Sequence, residues 1–532
     1  MAPAGCNRKR IGWKGQVIPA PFCLHCKPEG AGKCKINVSR IDAGWGSVLT
    51  LVASPVFMSL GGKGVPKMKE SNFRSRNKWL RAGLVVGLAA LASAVSVRAQ
   101  DADAITAADV AGSDLKFTRV NPKAANMNGT QQATLPGIPG IDSVPNFSGA
   151  YSTPGFDPNG KPQSNWLFNT LGKRPDAGGT TTVNAPIVPV SLDLRNADGS
   201  QRFVRVVNGR AITCGIPREP GCQRLFFDPT PFIQLVLDSP VFSNAHYTSS
   251  TTPTQFADAV ARAEYQGAPD SWHTLLAPSV KTTRTMVINQ DPTCGIGAGK
   301  GGHCNYLYAV NADGSCCFFV LINVFTFENE LFPSTSTFPP DSSTPVGAAE
   351  VAGDITTKDL STFFFPPAYL FIPSGHARPC CIGGFHAFDF ESGDASNGKL
   401  PRFFVLNYST WFEPIFRDPT ILDVTGLSHE ISETYNDPFV AFDGVHDVTP
   451  WWLAPNGNCQ DDLEVGDVIE GLPRQVFPIK MPNGFTYHPQ NEALLQWFEF
   501  QSPSTAINGA YSYPDITTLT ALSPPQKAGC AP

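Results

Sequence analysis

The run Leu427-Ser428-His429-Glu430-Ile431-Ser432-Glu433-Thr434-Tyr435-Asn436-Asp437-Pro438 holds the side chains best suited to chemistry. On a helix, His429 and Glu433 stand four residues apart and share one face. An imidazole and a carboxylate so placed can grip one metal ion. Glu430, beside the first ligand, is then set to take a proton from metal-bound water. The pattern is that of the His-Glu-x-x-His zinc proteases, with glutamate in place of the second histidine. The competing reading is an amphipathic helix with solvated carboxylates.

A catalytic zinc keeps three protein ligands and one position open to water, so a third donor must come from elsewhere. Glu464 and Asp467 lie in the acidic run Asp461-Asp462-Leu463-Glu464-Val465-Gly466-Asp467. His446 follows Glu433 closely, and His386 sits upstream in Gly384-Phe385-His386-Ala387-Phe388. Carboxylate-rich sites are hard, so calcium or manganese suits such a set as well as zinc. The chemistry implied is metal-assisted hydrolysis of a peptide or related acyl substrate, with Glu430 as general base. An extra anionic ligand blunts Lewis acidity, which speaks against strong peptidase activity; the alternative is a non-catalytic secreted cell-wall or carbohydrate-associated protein with a structural metal or no metal. Trp451-Trp452 and Tyr487-His488-Pro489 offer aromatic surface for sugar stacking. There is no Gly-x-Ser-x-Gly elbow. The glycine-rich run ending at Lys300 lacks the Ser or Thr of a phosphate loop and lies between Cys294 and Cys304, so it reads as a disulfide-closed loop.

The elements that must position these groups read as follows. The motif helix begins near Thr425 and ends by Asp437, before Pro438. Another helix starts at Thr252-Pro253-Thr254-Gln255 and runs to about Tyr265. Residues 232–237, 283–289, 318–327, 385–390 and 403–406 read as strands. The pentapeptide Asn-Ala-Asp-Gly-Ser occurs at 196–200 and at 311–315 and predicts two hairpins, 192–195 with 203–207 and 306–310 with 318–322. The sum is an α+β domain with a mixed or mainly antiparallel sheet, a few packed helices and long loops.

A basic region at 74–81, an apolar run at 82–97 and Val97-Arg98-Ala99 make 68–99 a secretory signal peptide, with the mature chain beginning at Gln100. Residues 1–67 then read as a non-native upstream extension, in which Cys23-Leu24-His25-Cys26 is half a zinc knuckle without its partner half. Residues 100–165 read as an Asn/Gly/Pro-rich arm, and 166–532 as one large domain. Of 40 Lys and Arg, 16 fall within the first 99 residues, with only 3 of the 45 Asp and Glu; the mature part carries 24 and 42, a net charge of −18. That sign speaks against nucleic acid and anionic membrane as partners. The sequence is silent on oligomeric state. Ten of the 14 cysteines follow Gln100, which implies disulfides in an exported, secreted protein. Cys214 with Cys222 and Cys294 with Cys304 suit local bridges, whereas the neighbours Cys316-Cys317 and Cys380-Cys381 are expected to bond elsewhere.

His429-Glu430-Ile431-Ser432-Glu433 followed by Asn436-Asp437-Pro438 resembles the His-Glu-Leu-Ala-Glu…Asp-Pro run of a group of exported bacterial proteins. It is also similar to the exordium-like, phosphate-induced wall proteins of plants. Gly384-Phe385-His386 resembles their upstream Gly-Tyr-His, and Leu463-Glu464-Val465-Gly466-Asp467 their downstream Glu-Ile-Gly-Asp. Ser432 stands where Ala is usual, and Cys459 precedes the acidic segment where a cysteine usually follows it. The resemblance covers about residues 380–470 and implies an extracellular protein with a zincin-like helix, without naming a substrate.

Overall fold

Alternating apolar residues over Thr180–Arg195 build the longest strand, and the rest of the chain is arranged about it. The computed structural model describes residues 25–29, 33–37, 103–110, 140–151, 166–208, 210–215, 219–248, 252–295, 303–373, 380–440, 452–460 and 463–522. The chain divides into Met1–Ala94 and Val95–Pro532. In the first unit His25–Glu29 and Lys33–Asn37 pair as an antiparallel hairpin. The expected signal peptide and the rest of the upstream extension lie outside the described residues.

In chain order the second unit carries β1 (Asn146–Tyr151), β2 (Trp166–Leu171), β3 (Thr180–Arg195), α1 (Thr230–Leu237), α2 (Phe256–Glu264), β4 (His273–Val280) and β5 (Arg284–Asn289). There follow β6 (Tyr306–Ala309), β7 (Phe319–Asn323), α3 (Val324–Leu331), α4 (Pro345–Ala352), β8 (Ser361–Phe365), β9 (Ala368–Phe371), β10 (Cys380–Ile382), β11 (Gly384–Glu391), β12 (Arg402–Thr410) and α5 (Thr425–Asn436). Shorter or peripheral elements are named by their residues.

The central sheet runs β4-β3-β8-β12-β11, with β5 beside the second half of β3. Its inner pairings are parallel, and β11 closes the edge antiparallel to β12. The fold is therefore α+β with a mixed sheet. A parallel sheet must be covered on both faces. Val183, Ala185 and Ile187 accordingly enter one core, and Val188, Val190, Leu192 and Leu194 another on the opposite face. Each such side chain contributes roughly 2 kcal/mol when fully buried. A second sheet, β6-β7-β9-β10, includes the expected hairpin of β6 and β7.

α5 lies on the first face, against β11, β12, α2 and β2. Leu427, Ile431 and Tyr435, four residues apart, pack with Phe403 and Val405 of β12. Every residue of α5 is buried, so the solvated amphipathic helix is excluded.

Five local expectations change. The strand expected over 318–327 stops at Asn323, whose side chain caps α3 by accepting a bond from Phe325 N at 3.1 Å, so 324–327 is helical. Residues 232–237 form helix α1 rather than a strand. A short apolar run has no decisive period, and here Pro231 takes the first turn while Asp228 accepts a bond from Thr230 N at 3.0 Å. The second helix begins at Phe256, not at Thr252. Thr254 bridges Ala245, and Gln255 spends its side chain on Phe242 and Leu276. At the first Asn-Ala-Asp-Gly-Ser the turn closes, with Asn196 N donating to Ser200 O at 3.0 Å. The strands beyond it part, however: Leu192 and Asp193 pair with Phe227 and Phe226, and Phe203–Val207 pairs with Arg210–Thr213. Finally, Cys316 bonds to Cys317 and Cys380 to Cys381, each within one peptide unit, with Cα atoms 3.0 and 3.1 Å apart. The Cys214–Cys222 and Cys294–Cys304 bridges form as expected.

Described parts of the arm are built into the domain. Asp103 is buried and ion-paired with Arg202, and Ala104 bridges Tyr308. No helix among the described residues is long and apolar enough to cross a membrane.

α2 ends on Glu264, whose Oε1 accepts bonds from Asn436 Nδ2 and Leu495 N, both at 3.1 Å. Burial pushes its carboxyl up to about 8, offset in part by those bonds. A folded value above the unfolded one gives stability that is complete below about pH 4.5 and is lost as pH rises toward 8. Glu264→Gln removes that loss. Thermal melts of the two proteins should diverge between pH 5 and 8, the native chain losing up to about 1.4 kcal/mol per pH unit relative to the variant. Parallel curves would show that Glu264 folds ionised.

Candidate metal centre

Four segments bring seven buried ionisable side chains together. α5 supplies His429, Glu430 and Glu433, β11 supplies His386, the loop after residue 462 supplies Glu464 and Asp467, and Glu492 opens the short strand Glu492–Ala493. Asp467, at 9%, is the most exposed of them.

Strand alternation aims His386. On β11, Phe385 and Ala387 enter one core while Phe388 and Phe390 pack on the other, so His386 looks toward α5. It is in register with Asn407 of β12. Asn407 Nδ2 donates to Thr362 Oγ1 at 3.2 Å, and Ser409 Oγ donates to Asn407 Oδ1 at 3.0 Å. The sheet thus presents polar side chains beside the site.

The acidic loop is tied to the helix by backbone bonds. Gly466 N and Asp467 N donate to Glu433 Oε1 at 3.1 and 3.4 Å. Gln490 binds both partners: its Nε2 donates to Gly466 O at 2.7 Å and its backbone N to Ser428 Oγ at 2.9 Å. Thr425 Oγ1 donates to His488 O at 2.7 Å. Two glycines let backbone approach the site. A Cβ on Gly466 would stand 2.3 Å from His429 Nδ1, and one on Gly384 would stand 2.4 Å from Glu430 Oε1.

The donors gather about Glu433. His429 Nε2 is 3.0 Å from Glu433 Oε1 and 3.6 Å from Asp467 Oδ1. His386 Nδ1 is 3.3 Å from Glu433 Oε2 and 3.7 Å from an oxygen of Glu430 and of Glu464. These are near the roughly 3.3 Å that separates two ligands on one tetrahedral ion about 2.0–2.1 Å away. The donor atoms fall into two groups with all separations within 4.8 Å: His429, Glu433 and Asp467, and His386, Glu430 and Glu433. The mixture of imidazole and carboxylate fits zinc or manganese, and less well the all-oxygen sphere of calcium.

The electrostatics are those of a crowded, dry site. Burial alone would lower both imidazoles. The carboxylates about each, Glu464 and Glu433 among them for His386 and Glu433 first for His429, instead hold them well above the usual histidine range. Burial would raise Glu433, but His429 and His386 keep it well below the ordinary carboxylate range. Burial pushes Glu430 up to about 7 despite His386 and His429. Burial also holds Glu492 well above the ordinary carboxylate range, with His429 opposing.

The expected His429 and Glu433 thus converge, and of the third donors foreseen, His386, Glu464 and Asp467 all arrive. His446 lies outside the described residues. Glu492 was not foreseen: a single acid between Asn491 and Ala493 carries no ligand spacing, and only the fold brings it to the site. Tyr487 is fully buried and donates to Leu235 O at 2.8 Å, so it offers no face for sugar stacking. Trp451 lies outside the described residues.

Gly466→Ala should displace the His429 ring. We expect a loss of about 1–3 kcal/mol in stability, from overpacking, and at least tenfold weaker metal retention in equilibrium dialysis. Unchanged retention would mean that His429 Nδ1 tolerates a shifted loop and that the close approach has no bearing on binding. Set against known proteins, the chain matches no family model, no curated protein and no solved structure, so its chemistry is read from these residues.

Proposed function

We propose that this is an exported metal-dependent hydrolase acting on a peptide or related acyl substrate. The observation that carries the reading is Glu430. Its carboxylate is 1% exposed, faces His386 Nδ1 at 3.7 Å, and belongs with His386 and Glu433 to one of the two donor groups. His386 is shared with Glu433 and Glu464, so Glu430 is a buried carboxylate with only part of a counter-charge; that costs several kcal/mol, which a purely structural helix residue would have no reason to keep.

His429, Glu433 and Asp467 would hold the ion, which we take to be zinc, with manganese or calcium as alternatives. When bound, it would lower the pKa of a water and polarise the scissile carbonyl. Glu430, held at about 7 by burial, would take the water's proton and pass it to the leaving group. His386 would orient Glu430 and Glu433 from the sheet side, and Gly466 and Asp467 would fix Glu433 through their backbone N–H groups. The leader and the disulfides support export. The helix motif agrees with the zincin-like and exordium-like resemblance.

A second reading is favoured by one fact, the near-complete burial of all seven groups. In it the metal is structural, in a wall- or carbohydrate-associated protein without catalysis. Glu430→Gln separates the two. Under the hydrolase reading the variant retains the ion held by His429, Glu433 and Asp467 within about twofold and loses at least about 100-fold in turnover of a peptide library. Undiminished turnover would remove Glu430 from the mechanism, and native protein that keeps its metal but cleaves nothing would leave the structural reading.

A further inference from the structure

We infer that the centre takes two divalent cations bridged by the carboxylate of Glu433. This rests on the metal-binding reading above and extends it from one ion to two.

The argument begins with Glu433. Its two oxygens serve different partners: Oε1 faces His429 Nε2 at 3.0 Å, and Oε2 faces His386 Nδ1 at 3.3 Å. Each imidazole has its own further carboxylate, Asp467 Oδ1 at 3.6 Å from His429 and Glu430 Oε2 at 3.7 Å from His386. The result is two three-donor groups with Glu433 common to both. A carboxylate spanning two ions in this way is the arrangement of two-metal hydrolytic sites, whose ions stand about 3.5–4 Å apart. Glu464 Oε2, 3.7 Å from His386, stands ready as a further oxygen for the second ion.

Charge leads to the same count. Within the set are five carboxylates (Glu430, Glu433, Glu464, Asp467, Glu492) and two imidazoles, all 9% exposed or less. With all five carboxylates ionised, protonating both imidazoles leaves three negative charges unmatched; one dication with neutral imidazoles also leaves three, whereas two dications leave one. Unmatched buried charge is among the costliest features a fold can carry, so the doubly occupied centre is the best matched of the three. Glu430 Oε2 then joins the second ion, and Oε1, packed against Gly384, remains to accept a proton.

The test uses the full mature chain. Protein stripped with a chelator is dialysed against Zn2+, passed over a desalting column, and its metal measured by mass spectrometry. Two equivalents per chain are expected. One equivalent overturns the bridged pair while leaving the single-ion hydrolase intact, and less than about a tenth of an equivalent sinks both. Reloading with Mn2+ gives a readout independent of variants: a bridged pair yields an exchange-coupled EPR spectrum, and an isolated six-line signal alone overturns the proposal. His386→Ala and His429→Ala should each fall to one equivalent and convert the Mn2+ spectrum to the isolated form. A second equivalent that survives both substitutions places that ion elsewhere and also overturns it.

Discussion

The carboxylate of Glu433 is the point on which the rest of the centre depends. It faces an imidazole from its own helix, an imidazole from the sheet and two backbone N–H groups from the acidic loop. Three separately positioned pieces of chain are thereby referred to one side chain. Burial opposes its charge, and the two histidines restore it. Remove that charge and the loop, the strand histidine and the helix histidine lose their common partner.

Such a group must be held by a rigid frame, and the sheet is that frame. Both faces of the parallel strands are filled with Val, Ile, Leu and Phe. Polar side chains also gather on the face that carries the site: His386, Asn407 and Ser409, with Thr362 beside them. α5 follows the same division. Leu427, Ile431 and Tyr435 anchor it in the core along its whole length, and His429, Glu430 and Glu433, interleaved with them, are left to the site. The helix has no solvent-facing side because α2, β2 and the segments around Gly466 and His488 cover what the sheet does not.

Much of this was legible in the sequence, for identifiable reasons. The motif helix runs over Thr425–Asn436 as its periodicity and Pro438 dictate, and β11, β12 and the β6–β7 hairpin fall where alternation places them. His429 and Glu433 could be paired because their convergence is set by helix pitch alone. His386, Glu464 and Asp467 could be named as donors but not assigned to an imidazole, since that depends on register between distant strands. Glu492 had no local signature at all. The failures have different causes. The 232–237 run was decided locally, by Pro231 and Asp228, whereas the strands around the first Asn-Ala-Asp-Gly-Ser turn were decided by a distant segment laid beside them. The same pentapeptide makes a full hairpin at 311–315 but only a turn at 196–200, where Phe226 and Phe227 take the strand's place.

The position of β3 has a consequence for how the molecule comes into being. Its partners are β4, about ninety residues downstream, and β8, about a hundred and eighty downstream, with Asn184 bonded to Asp359 across 175 residues. Loops of that length must close before the central strand gains its neighbours, which places this chain among slow folders of high contact order. During that interval β3 presents a sixteen-residue edge rich in Val and Leu, the kind of template on which chains aggregate. A protein so built would depend on assistance while it folds, and its yield on refolding from denaturant would fall steeply with concentration.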